Sequence, residues 1–256
     1  MRIDASLFVG ACAFRELPSS VDDLQALRLH AELDRAVATG FRSIFYFDPI
    51  DGLAKDLAQY ETLAEWLYFW AVVNPEFPQL EALANQAKDE DRIVGLRLFP
   101  GLHGYRLDSE RLKIVVDMSV ERGLPINITA RLFDIRVAPK MVTQEDIDLS
   151  DLAAFLERTK KTTAILSMFF FNELTRLKVD WHDLPNVYID LGCCKPTAAS
   201  FDDLPSWFPT NRVLFGTGAP YYYWAGSRLA LEGAQLPHAD KQAILGNNAK
   251  EVFSWI

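Results

Sequence analysis

Eight short apolar runs punctuate this 256-residue chain, and most are continuous rather than alternating. They lie near 3–9, 41–47 (FRSIFYF), 67–73 (LYFWAVV), 93–99 (IVGLRLF), 124–129, 163–168, 187–191 and 213–216. A strand exposed on one face alternates apolar with polar, whereas one covered on both faces reads as an unbroken apolar run. Stretches with helical spacing separate the runs. Ser109–Arg122 places Leu112, Val115, Val116 and Val120 toward one side, with Asp108 or Ser109 as a cap and Gly123 as a left-handed stop. Eight covered strands, each followed by a helix, predict one (β/α)8 barrel spanning residues 1–256 and closed by a C-terminal helix. A doubly wound open sheet would leave two strands without an edge role. No linker, fixed-period repeat or low-complexity tract divides the chain. The longest irregular stretch, Ala130–Asp148, follows the fifth strand and reads as a lid or rim segment.

Composition narrows the partners. A net charge of −9 without a Lys/Arg-rich block disfavours nucleic acid. No apolar run approaches the roughly 18–20 residues needed to span a bilayer. The first residues show no charged-then-apolar leader. Three cysteines, Cys12, Cys193 and Cys194, form no disulfide framework. A cytoplasmic protein is the expectation.

In a barrel of this kind the reactive groups sit where strands end and loops begin. That directs attention to Ser6 and Phe8, Asn74, Arg97, His103, Asn127 and Thr129, Ser167 and Met168, Asp190, Cys193, Cys194 and Lys195, and Thr217-Gly218. Ser6 and Phe8 are two apart on the first strand and so share a face.

Several segments, in order, resemble the amidohydrolase 2 family of the amidohydrolase superfamily. Val94–Tyr105 with Leu107–Leu112 is similar to that family's fourth strand and loop, and Gly123–Ile126 to the entry to its fifth strand. Leu184–Asp190 resembles the seventh strand, Arg212–Pro220 the eighth, and Lys241–Ala249 the closing helix. The resemblance implies hydrolysis of an amide, ester or lactone, or decarboxylation, by a metal held on two histidines of strand one, one each on strands five and six, and an aspartate ending strand eight. Carried onto this chain, those positions fall on Ser6, Phe8, Thr129, Met168 and Gly218, none of which matches. Zinc and its relatives take imidazole, thiolate or carboxylate donors, so neither a metal nor another cofactor is expected here. Of the four histidines only His103 lies in a mouth loop; His30, His182 and His238 read as surface or capping residues.

Three functions remain open from these residues. The first is binding of a small molecule at the barrel mouth, or of a partner, by a protein whose metal ligands have degenerated. Ser6, Asn127, Thr129, Asp190, Lys195 and Tyr221 would then line the site. The second is a metal-independent hydrolase or lactonase working from His103, Arg97 and Cys193 or Cys194, with Lys195 able to lower a thiol pKa. Arg97 could grip a substrate carboxylate, or serve as partner to an acid such as Asp190 or Asp48. The third is a dimeric scaffold. Phe169–Phe171 and Tyr221–Trp224 crowd the mouth, where they would fill the vacated site, line a pocket or hold a homodimer together.

Overall fold

The computed structural model describes residues 1–46, 48–78, 90–134, 136, 138–192 and 201–253. Among these, eight parallel strands pair in sequence order, from β1 to β8. They are β1 Ile3–Val9, β2 Arg35–Gly40, β3 Leu67–Val73, β4 Ile93–Leu98, β5 Ile126–Thr129, β6 Ala164–Ser167, β7 Val187–Asp190 and β8 Val213–Leu214. Backbone bonds stitch β1 to the chain after β8: Ala5 N donates to Phe215 O (2.8 Å), Gly218 N to Ser6 O (2.8 Å) and Phe8 N to Ala219 O (2.7 Å). The sheet thus curls round on itself into the expected (β/α)8 barrel. No helix among the described residues is long and apolar enough to cross a membrane.

The described helices are α1 Val21–Ala31, α2 Phe41–Phe45, α3 Pro49–Gln59, α4 Pro100–His103, α5 Leu112–Arg122, α6 Leu149–Arg158, α7 Phe171–Leu174, α8 Trp224–Gly233, α9 His238–Gln242 and α10 Asn248–Val252. A π-helical turn, Ala243–Asn247, joins the last two. Local chemistry sets several boundaries. Ser20 and Asp23 form a reciprocal capping box on α1, and Asp148 caps α6 and ends the irregular stretch. Gly123 stops α5 at φ +65°, as its position predicts. The start of α5 differs from expectation: Arg111 rather than Asp108 or Ser109 stands at the cap position, while Ser109 accepts from Arg111 N through its hydroxyl (3.4 Å) and from Leu112 N through its carbonyl. Val120 is also exposed, because the buried stripe runs through Leu112, Val115, Met118 and Ser119.

The second strand is displaced from the sequence expectation. FRSIF forms helix α2, and the strand is the preceding RAVATG. Its Ala, Thr and Gly residues carry too little apolar signal to stand out from a sequence. Tertiary packing demands them: a Cβ at Gly40 would meet Asp56 Oδ2 at 1.6 Å. The aromatic run beside it is apolar because it covers the barrel mouth instead.

Two layers of core follow from strand alternation. Outward residues such as Leu7, Ala36, Ala38, Leu96, Leu98, Ile126 and Ile128 pack under the helices. Inside the barrel, Val37, Trp70, Ile165 and Leu214 form an apolar floor. Phe8, Phe41, Val72, Phe99, Leu132, Phe133 and Met168 form a roof at the other end.

Candidate functional site

Between floor and roof lies a polar layer centred on Arg97. Leu96 and Leu98 face the helices, so β4 turns Arg97 inward, where it is fully buried. Its Nε donates to Thr129 Oγ1 (2.8 Å), Nη1 to Thr39 Oγ1 (2.9 Å), and Nη2 to Ser6 Oγ (3.1 Å) and Ser167 Oγ (3.2 Å). Hydroxyls from β1, β2, β5 and β6 therefore encircle one cation, whose carbon lies 5.0 Å from the Phe8 ring centroid and 5.3 Å from that of Phe99. Burial pulls the guanidinium down to about 10, against the opposing charges of Asp190 and Asp4. Burial likewise pushes Asp190 up to about 6, resisted by the Ser167 hydroxyl and the Arg97 charge. Asp4 also rises to about 6 through burial, although Thr217 Oγ1 donates to its Oδ2 at 2.6 Å. Of the two acids named from sequence as partners for Arg97, Asp190 faces it electrostatically. Asp48 instead caps α3 by accepting from Ile50 N.

The predicted shared face of Ser6 and Phe8 is present. Ser6 joins the polar layer, and Phe8 stacks on Phe41 (5.4 Å between centroids). Tyr221 lies 6.4 Å from Phe8, 5.8 Å from Phe41 and 5.8 Å from Phe133. The loop after β1 folds over this stack: Phe14 packs edge-on against Phe45 and Phe133, and Arg15 Nη1 donates to Tyr221 O. The Phe169–Phe171 run does not fill the mouth as a unit. Phe169 packs outward under the helices, and Phe171 meets Phe201 and Trp207 edge-on. Only Phe170 stays at the rim, its ring 4.2 Å below the Arg131 guanidinium.

Other sequence candidates separate into two places. Asn127 and Thr129 share the inward face of β5, and Thr129 Oγ1 donates to Asn127 Oδ1 (3.0 Å). His103 is elsewhere. It ends α4, its Nε2 bonds the Ile44 carbonyl (3.0 Å), and burial lowers its pKa. It shares Phe99 as a neighbour with Arg97 but joins none of that residue's hydrogen bonds. Cys193, Cys194 and Lys195 lie outside the described residues. Thr39 is a member of the central ring that sequence reasoning missed, because its strand went unread.

The positions to which the resemblance assigns metal ligands hold two hydroxyls already engaged by Arg97, a phenyl ring, a thioether in the roof and a glycine at φ +68°. Among the described residues no group of three or more His, Cys, Asp or Glu is placed to hold an ion.

Comparison with known proteins bears on descent. Curated sequences yield no match. Solved structures similar across 99% of this chain include a Bordetella bronchiseptica TIM-barrel protein (TM-score 0.74, 16% identity, 98% of that chain). A zinc-bound amidohydrolase from Burkholderia multivorans (0.71, 17%, 99%) and a 5-carboxyvanillate decarboxylase from Sphingomonas paucimobilis (0.70, 14%, 98%) are likewise similar. At these identities the likeness is one of fold. The amidohydrolase family profile matches residues 11–255, nearly the whole sequence. This chain therefore belongs to the amidohydrolase family.

Proposed function

We propose that this amidohydrolase-family barrel has lost metal-assisted hydrolysis and binds a small molecule at its mouth face. The observation that carries the first half is the Arg97 guanidinium, which engages the very hydroxyls that stand at two of the family's ligand positions. A divalent ion there would face a buried positive charge across a short, poorly screened distance. The family's ligand positions offer it only neutral hydroxyls and a thioether, with a phenyl ring and a glycine that donate nothing, and the nearby Asp190 carboxylate already faces the Arg97 charge, a set that does not replace the family's imidazoles and carboxylate. The residues present do not fit zinc, the ion that the Burkholderia relative binds. Each guanidinium nitrogen already has a hydroxyl acceptor, which supports a structural role for Arg97 rather than a fork for a substrate carboxylate. Fold descent limits the reaction class without assigning one. Binding at the strand-end face follows from where barrels of this architecture place their ligands.

Metal analysis of protein purified without chelator tests the reading. Zinc, iron and manganese should each be present at well under one equivalent. A tightly held stoichiometric ion that survives dialysis overturns it.

A further inference from the structure

On the outside of the barrel, α5 and α6 leave a groove of about 610 Å³ between them. The two helices are tied at both ends of it. Arg106 Nη2 pairs with Asp151 Oδ2 (2.8 Å) beside the helix starts, and the Ser119 and Thr162 hydroxyls bond to each other beside the helix ends. The fold therefore holds the gap in place. Leu112 and Phe155 line it as buried residues, Val116 is half-buried, and Val120 is 45% exposed.

Helical spacing sorts the α5 side of the groove into two rows. Leu112, Val116 and Val120 recur every four residues and form an apolar row. Lys113, Asp117 and Glu121 form a charged row beside it and also line the groove. The order of the charged row does not serve the helix itself. A macrodipole favours acids in the first turn and cations in the last, and an i,i+4 pair is stronger with its acid N-terminal. Here Lys113 stands second in the helix, Glu121 stands second from its end, and Lys113 pairs forward with Asp117. Glu121 has no ion-pair partner among the described residues.

A row running from cation to acid becomes its own complement when turned end over end. Laid antiparallel across a twofold axis, Lys113 meets Glu121 of a second copy and Glu121 meets its Lys113. Val116 and Val120 then meet Val120 and Val116. Asp117 falls at the axis, where its own Lys113 neutralises it. The two macrodipoles run in opposite senses, which also favours the pair. Charges lining the groove balance, with Glu110, Asp117 and Glu121 against Lys113, Arg158 and Lys161, although the chain as a whole carries −9. Two acidic molecules can therefore meet at this face without net repulsion.

We propose that α5 and the groove beside it form the contact of a twofold homodimer, with the α5 helices of the two copies packed antiparallel. The dimer goes beyond the small-molecule reading and does not depend on it. It moves the subunit contact expected at the rim aromatics to the outer helix layer. An 11-residue helix is about 16 Å long, which makes this a small interface with association in the micromolar range.

Sedimentation velocity on the intact chain, from about 2 to 200 µM, tests the proposal. The native protein should shift from monomer to dimer across that range. Val120→Glu puts a carboxylate in the apolar centre at an exposed position, and should leave a monomer with its thermal midpoint preserved. Lys113→Glu and Glu121→Lys should each weaken the dimer about tenfold or more, because each change acts twice across the axis. Mixed in equal amounts, those two variants should form a heterodimer at least as tightly as the native protein self-associates, since every facing pair is again opposite in charge. A native protein that stays monomeric overturns the proposal. A dimer untouched by Val120→Glu overturns this location, and its loss in Tyr223→Ser would return the contact to the rim. Single-charge variants that fail to associate when mixed overturn the antiparallel register.

Discussion

Replacing Arg97 with Met removes the cation at the barrel centre while keeping an unbranched side chain in its place. Asp4 and Asp190 then lose the charge that faces them. Both carboxyls already sit at about 6, raised by burial from an ordinary 3.8. An acid raised in this way contributes stability below its unfolded pKa and loses that contribution as pH climbs through its folded pKa. In the native protein the loss is complete a little above pH 6. In the variant, Asp190 no longer has Arg97 to hold it down, so its folded pKa moves higher and the loss continues toward pH 7.5. Each pH unit is worth ~1.4 kcal/mol per carboxyl, so the interval from about 6 to 7.5 adds roughly 2 kcal/mol. A pH-independent part comes from the hydroxyls of Ser6, Thr39, Thr129 and Ser167, which lose their common donor; ~1–3 kcal/mol is the usual scale. The variant should therefore be destabilised by about 1–3 kcal/mol near pH 5 and about 3–5 kcal/mol near pH 7.5, the second range being typical of breaking a buried charge set. Thermal unfolding followed by circular dichroism at both pH values checks this. The deficit in midpoint should widen by roughly 4–8 °C on going from acid to neutral. An equal deficit at both pH values, or a variant as stable as the native protein at pH 7.5, refutes the reasoning that the guanidinium compensates buried acids.

Two further outcomes follow from the geometry. Burial pushes Asp56 up to about 7 despite its contact with Arg42, and its Oδ2 has no partner among the described residues. Between about pH 4 and 7 native stability should fall more steeply than that of Asp56→Asn, by about 1.4 kcal/mol per unit. Denaturant midpoints across that range test it, and a pH-independent difference between the two proteins counts against it. Gly218→Asp restores the family's missing carboxylate on paper, but φ there is +68° and a Cβ would lie 2.9 Å from Tyr222 Cδ2. The variant should lose about 1–3 kcal/mol of stability and still give no heat with zinc; stoichiometric zinc binding would contradict the account of the axial site.

Much of the site is legible in the sequence. Arg97 stood out because a charged residue in an apolar strand must find partners. Ser6 and Phe8 stood out because a two-residue spacing fixes a common face. Ser6, Thr129 and Ser167 are visible as strand-end residues, but their convergence with Thr39 on Arg97 is not, since Ser and Thr are ordinary strand residues and the ring joins positions up to 161 residues apart in sequence. His103 was visible as the mouth-loop histidine, yet its partner is a backbone carbonyl on α2, which no side-chain pattern encodes.

The second strand shows the same division. The sequence pattern favours FRSIFYF over RAVATG because single-chain hydrophobicity measures how much apolar surface a residue carries, not how little room it has. Local sequence determined the period of the elements, their caps and the number of strands, all of which depend on neighbours within a few residues. Tertiary closure decided which small residues became a strand and which aromatics became a roof. It also decided that a cation occupies the centre of the barrel. Those outcomes depend on the volume and charge left when eight strands meet, and that quantity exists only after the chain has closed on itself.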